Sequence, residues 1–217
     1  MESGSWDEHV DGRHPDLEIV LPVNDGGAKA MMMVLEELAP HSIRALTLTN
    51  AFSSLLPSFV HPVFRHIVAL HIPRSTISSC SNAKCLHFLA TTSGTMLPFP
   101  LLKTLILSHQ SPYGVLSLVS NTIHTNPQNQ INLQDCIFAR HACGTPLRAV
   151  YLDISEIQKV LDGQTKPRTN WAPVFLDRIE IRRVINGLKK IPEVIFLPGT
   201  AQLYDDALWR TIVGESS

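Results

Sequence analysis

Charge is scarce in this chain. Asp, Glu, Lys and Arg make up 17% of 217 residues and nearly cancel, with 18 basic against 19 acidic side chains and a net charge of −1. Such a balance leaves no footprint for a polyanion or an anionic bilayer, so neither nucleic acid nor a membrane is expected as a partner. Long apolar runs are missing as well: His, Ser, Arg or Lys interrupts every hydrophobic stretch before it reaches the roughly 20 residues a bilayer core requires. The four cysteines are too few for a dense disulfide framework and read as buried thiols. Met1-Glu2-Ser3-Gly4-Ser5-Trp6-Asp7-Glu8-His9 holds acids and no apolar run, unlike a secretory signal or a basic transit peptide, and the expected location is intracellular, cytoplasmic or nuclear. Absent too are GxSxG, GxxxxGK[ST] and GxGxxG, which removes the nucleophile elbow and the two common phosphate-binding loops. No catalytic residue, metal site or cofactor is assigned.

What the chain does have is hydrophobic content and a repeat. Apolar residues amount to 44%, too many for a disordered chain, and the length suits one domain or a short repeat array. Ile43-Arg44-Ala45-Leu46-Thr47-Leu48 recurs as Ile67-Val68-Ala69-Leu70-His71-Ile72, Leu102-Lys103-Thr104-Leu105-Ile106-Leu107 and Leu147-Arg148-Ala149-Val150-Tyr151-Leu152. Ile191-Pro192-Glu193-Val194-Ile195-Phe196 is a weaker fifth copy, and Ile19-Val20-Leu21 a shorter sixth strand. The first, fourth and sixth positions are apolar. On a strand the fourth and sixth point to one face, the core, while the third and fifth point to the other.

Between hexads the spacing turns helical. Met31, Val34, Leu35 and Leu38 fall on one helical face, as do Leu116, Val119 and Ile123. Asp25-Gly26-Gly27 precedes the first of these helices and Pro40 closes it, while the second runs from near Pro112 to Asn126-Pro127. Pro57 and Pro62 limit residues 53–65 to short turns or a broken helix. Residues 132–143 and 153–161 read as further helices, and 174–188 as a helix or strand packing through Leu176, Ile179, Val184 and Leu188 with a basic outer side.

The hexads begin at 43, 67, 102, 147 and 191, in steps of 24, 35, 45 and 44. Alternating strands and helices at such intervals predict an α/β fold, an irregular leucine-rich-repeat-like solenoid with a parallel strand face and helical returns. A doubly wound parallel sheet is the competing architecture. The expected organisation is a flexible lead-in at 1–15, a repeat domain at 16–200 and a C-terminal cap and tail at 201–217. Within it, residues 163–168 are the best internal linker, and Trp171 and Trp209 belong to the closing region.

Residues 133–147, ending in Arg140-His141-Ala142-Cys143-Gly144-Thr145-Pro146-Leu147 and running into Arg148-Ala149-Val150-Tyr151-Leu152, resemble fungal F-box proteins with irregular leucine-rich repeats. In that family a helix often ends in an Arg, a Gly and a Pro-Leu pair that leads into the next strand. Phe99-Pro100-Leu101-Leu102-Lys103-Thr104-Leu105-Ile106-Leu107 is similar, and with the other hexads the likeness spans roughly residues 16–200. The resemblance implies a substrate-recruiting region of a ubiquitin ligase. An F-box, a helical module N-terminal to the repeats, is not evident, so the expectation is a divergent or shortened member.

Two function classes follow. As a protein-binding module, the chain would use the third and fifth hexad positions as a concave face, with Thr47, His71, Thr104, Ile106 and Tyr151 as candidate contacts beside the small Ala45, Ala69 and Ala149. The alternative is a hydrolase of unfamiliar type on an open α/β sheet. A shortened, inactive product with an exposed repeat edge is a third reading.

The residues that invite chemistry are isolated. His61, His66 and His71 recur every five positions, about 140° apart on a helix, and share no face. Cys80 and Cys85 lack a second ligand pair and read as thiols near a helix start. Cys143 and His141, two apart, do not face each other on a helix. Asp25-Gly26-Gly27 reads as a turn and helix cap.

Overall fold

The computed structural model describes residues 33, 37, 44–47, 62–72, 80–91, 97–108, 115, 118–119, 131–164 and 178–197. The expected lead-in, the short strand at 19–21, the cap at 201–217 and the three tryptophans lie outside the described residues.

The five hexads form five strands: β1 (Ala45–Thr47), β2 (Ala69–Ile72), β3 (Thr104–Leu107), β4 (Ala149–Asp153) and β5 (Val194–Leu197). All neighbours are parallel, in the order β1-β2-β3-β4-β5. The register aligns the repeats position for position, Leu46 against Leu70, Leu70 against Leu105, Leu105 against Val150 and Val150 against Val194. One backbone contact repeats with it. Arg44 O accepts from Val68 and Ala69 N–H at 2.7 and 3.1 Å, Val68 O from Lys103 and Thr104 at 2.9 and 3.0 Å, and Lys103 O from Arg148 and Ala149 at 2.7 and 3.2 Å. The doubled acceptor starts three successive strand pairs in the same way.

Rows of like hexad positions make the core. Ile67, Leu102 and Leu147 from the first position, Leu70, Leu105 and Val150 from the fourth, and Ile72, Leu107 and Leu152 from the sixth are all buried in one cluster, each contributing about 2 kcal/mol by leaving water. The helices pack on this side. α1 (Cys80–Ala90), α2 (Leu133–Ala142), α3 (Ser155–Leu161) and α4 (Arg178–Leu188) supply Leu86 and Leu89, Leu133 and Ile137, Ile157 and Val160, and Val184 and Leu188 to the same cluster. With the strands in consecutive order, the four described helices thus lie on one face of the sheet. The reversal in strand order that creates the ligand crevice of a doubly wound sheet is absent among the described strands.

Where they are described, the longer steps are helical as the spacing predicts, while Met31, Val34, Leu35, Leu38, Leu116, Ile123 and Leu176 lie outside the described residues. Met33 and Glu37 are helical within the expected first helix, and Val115, Leu118 and Val119 within the second; Val115 and Leu118 are the buried ones. Pro62–Phe64 is a single 3-10 turn. In α4 the packing falls to Ile181 and Ile185 beside Val184 and Leu188, whereas Ile179, expected inside, is exposed. Ile179 is two positions before Ile181, about 200° around the helix at 3.6 residues per turn, and so lies off the buried stripe that recurs at 181, 184, 185 and 188.

Local signals stop the helices. Asn132 caps α2, its side chain accepting from Asp135 N–H at 2.7 Å. At the other end Gly144, at φ +73°, donates to His141 O, and Thr145 N–H reaches Arg140 O at 2.9 Å, the paired bonds of a Schellman motif, after which Pro146 cannot continue the helix. α3 ends the same way, with Gly163 at φ +77° donating to Val160 O and Gln164 to Lys159 O. Gly163 and Gln164, expected as the start of a linker, are therefore the close of a helix.

Candidate functional site

By alternation and register, the third and fifth hexad positions share the second face of the sheet. Ala45, Ala69, Thr104 and Ala149 form one row, and Thr47, His71, Ile106, Tyr151 and Ile195 the next. The five candidate contact residues are thus brought together on one surface. Their exposure is uneven. Tyr151 is half-buried, while His71, Thr104 and Ile106 are buried; the side chain of Thr47 lies outside the described residues. Ala69, Ile106 and Leu197, with Ala45 and Tyr151 against them, make a small second apolar cluster on this side. The face opens toward β5, where Ile195 is 41% exposed.

A third row is polar. Ser108 follows β3 and continues its pairing, its N–H donating to Ile72 O at 3.3 Å, so its side chain joins Thr104 and Ile106 on the second face. Asp153 closes β4 one step after Leu152, the partner of Leu107, and stands beside Ser108. Both are fully buried, and His71 is 4% exposed. His71 Nε2 and Ser108 Oγ share a buried hydrogen bond at 2.8 Å, and Asp153 Oδ1 accepts the Ser155 N–H at 2.9 Å in the first turn of α3. The three groups occupy the carboxyl ends of adjacent parallel strands, where open α/β folds carry their chemistry. A hydroxyl held by an imidazole is the arrangement that activates a nucleophile. With Ser108 wholly enclosed, no substrate meets it in this conformation, and the trio satisfies its own hydrogen bonding inside the fold.

On the helix side the Arg of the Arg-Gly-Pro-Leu pattern is an internal staple. Arg140 is fully buried and donates from Nη1 to Leu89 O and Pro98 O, at 3.1 and 3.2 Å, and from Nη2 to Phe99 O at 2.8 Å. Leu89 O belongs to the last turn of α1, whose carbonyls have no helical partner. Phe99, a non-glycine residue at φ +49°, is held by this bond and by edge contacts with Phe64 and Phe88 at centroid distances of 5.9 and 6.4 Å. Left-handed backbone costs about 1 kcal/mol, which burial of the Phe99 ring offsets. Burial pulls the pKa of Arg140 down, while Cys136 and Cys143 push it back up.

The thiols offer little nucleophile. Cys85 and Cys136 are free and buried; burial, reinforced by Cys136, raises the Cys85 pKa well above its ordinary value. Burial lifts Cys136 to about 12, against a lowering by Arg140, with Asp135 raising it further. A thiolate is the reactive and metal-binding form, so both are inert near neutrality. Cys143 and His141 are exposed at the end of α2. Of the spaced histidines, His66 is half-buried in a turn and His71 lies inside β2, while His61 lies outside the described residues.

Ser108 and Asp153 were not among the expected site residues. Extending the hexad by one position would have found them, since the seventh position falls on the second face and reads Ser108 and Asp153 in the third and fourth copies. Arg140 entered only through the family resemblance, for no local pattern reveals acceptors this distant in sequence. The chain matches no protein-family model, no curated protein and no solved structure.

Proposed function

We propose that this chain is a protein-binding module, a short irregular leucine-rich-repeat-like solenoid that engages its partner on the second face of the sheet. One observation carries the reading: five parallel strands in consecutive order keep their hexads in a single register. In such a stack the helices cover one side and the strands present the other. His71, Thr104 and Ile106, being buried, set the shape of the face; Tyr151 and Ile195 supply contact area where it opens toward β5, and Thr47 extends the same row on β1. The resemblance to F-box proteins makes a substrate-recruiting region of a ubiquitin ligase the first biological setting to test.

The experiment is affinity capture from native cells with the full chain as bait, beside a Tyr151→Ala, Ile195→Asp variant shown by circular dichroism to be folded. Partners retained by the wild type and lost by the variant support the reading, and ligase subunits among them support the family setting. Equal recovery by both baits removes the strand face from consideration.

The His71–Ser108 hydrogen bond favours a second reading, a serine hydrolase whose covered face opens to admit substrate. A fluorophosphonate probe separates it from the first. Labelling lost in Ser108→Ala establishes a nucleophile, and an unlabelled native protein leaves the trio structural.

A further inference from the structure

A second surface lies on the helix side, away from the strand face. α4 turns Ile181, Val184, Ile185 and Leu188 into the core, while Ile179, Arg182, Arg183, Asn186, Gly187 and Lys190 line an open groove of about 580 Å³. Those six recur at steps of three and four and so form one continuous helical stripe. Charge is concentrated here. Residues 178–190 hold five basic residues and one acid, a net of +4 in a chain of −1, which leaves −5 for the remainder. Glu180 answers Arg183, whereas Arg182, Lys189 and Lys190 have no ion-pair partner among the described residues. Beside these cations Ile179 is 65% exposed.

Gly187 is the second, independent observation. It lies within the helix, where glycine costs stability relative to alanine. A Cβ placed on it meets no atom of the described residues within 4 Å, so nothing among them calls for the missing side chain. A notch in a helix surface flanked by cations suits the close approach of another chain.

We propose that this groove binds an acidic protein segment carrying an aliphatic residue. Its carboxylates pair with Arg182 and Lys190, the aliphatic side chain covers Ile179, and its backbone passes over Gly187. The local excess of positive charge steers such a segment onto an otherwise acidic molecule. Nucleic acid fits less well, because it would bring many more phosphates than the stripe can neutralise against the net −5 of the remaining chain. A bilayer fits less well too, since the apolar side of α4 is already committed to the core and offers one exposed isoleucine for insertion.

The test is fluorescence anisotropy of the full chain against an array of labelled peptides in which glutamates are placed at varied spacing around a central leucine. At least one peptide is expected to bind saturably, with affinity that falls as salt rises and drops about tenfold or more in Arg182→Glu, Lys190→Glu. Gly187→Ala is expected to raise the melting temperature while weakening the same peptide, a combination that a merely structural glycine does not produce. Should the charge reversal compromise folding, Arg182→Gln, Lys190→Gln replaces it. The proposal is overturned when no peptide prefers the wild type over the charge variant, when Gly187→Ala binds as well as the wild type, or when anionic vesicles or single-stranded RNA bind more tightly than every peptide.

Discussion

Ile106 on β3 and Ile195 on β5 stand in the same row of the same sheet face, yet one is 1% exposed and the other 41%. Their strands differ in the same sense. β2 and β3 are buried at every position, whereas along β4 Ala149 and Tyr151 are half-buried around a buried Val150, with burial unbroken only from Leu152 to Asp153, and β5 brings Ile195 to the surface. Alternation is the mark of a sheet covered on one side, and unbroken burial that of a sheet covered on both. One repeat thus yields two environments: a packed centre that holds the fold, and a flank open to another molecule.

The most severe way to break the packed region is Arg140→Met. It leaves the carbonyls of Leu89, Pro98 and Phe99 without their donors, and a loss of about 3–5 kcal/mol is expected in urea unfolding. A loss below about 1 kcal/mol would show that the staple is dispensable. The comparison itself is tested by Ile106→Ala against Ile195→Ala. The first should cost about 2–4 kcal/mol through the cavity it opens, the second less than about 1 kcal/mol, and equal costs would erase the distinction between centre and flank.

Proton linkage sharpens the contrast from the helix side. Cys136 is raised from its ordinary 9.0 to about 12 by burial, so the folded chain keeps a proton that the unfolded chain releases. Stability is therefore unaffected by this group below pH 9 and declines as the pH climbs from there toward about 12, by at most about 1.4 kcal/mol per pH unit. Unfolding at pH 8 and pH 10 should show a decline that Cys136→Ala reduces; an unchanged slope would place the thiol in contact with water. The smallest effect concerns the polar row. A double-mutant cycle between His71→Ala and Ser108→Ala should return a coupling of about 1 kcal/mol for their hydrogen bond, and strict additivity would mean that they do not interact.

Much of the sheet was legible in the hexads. Because side chains alternate along a strand, aligning the leading aliphatics at 67, 102, 147 and 191 already placed Leu70, Leu105, Val150 and Val194 in one row. The caps of α2 were legible too, for Asn132 and Gly144 serve backbone groups within a few residues. The depth of burial of the second face was not. His71, Thr104 and Ile106 occupy the positions that an open concave surface would use, and no local pattern distinguishes them from Tyr151. The same holds for Ile179, whose apolar side chain suits the core by composition but lies off the buried stripe of α4.

By itself, then, the sequence determined strand positions, their shared register, the side of the sheet that faces the helices, and where α2 and α3 stop. Each of these depends on alternation, helical spacing or a cap, interactions between residues close in the chain or repeated along it. Only the tertiary structure decided that the sheet runs in consecutive order, that the centre of its second face is enclosed while β5 is open, and that Arg140 turns inward. The guanidinium of Arg140 binds carbonyls 41 to 51 positions away, and a burial that depends on partners so remote is settled only once the chain has folded around it.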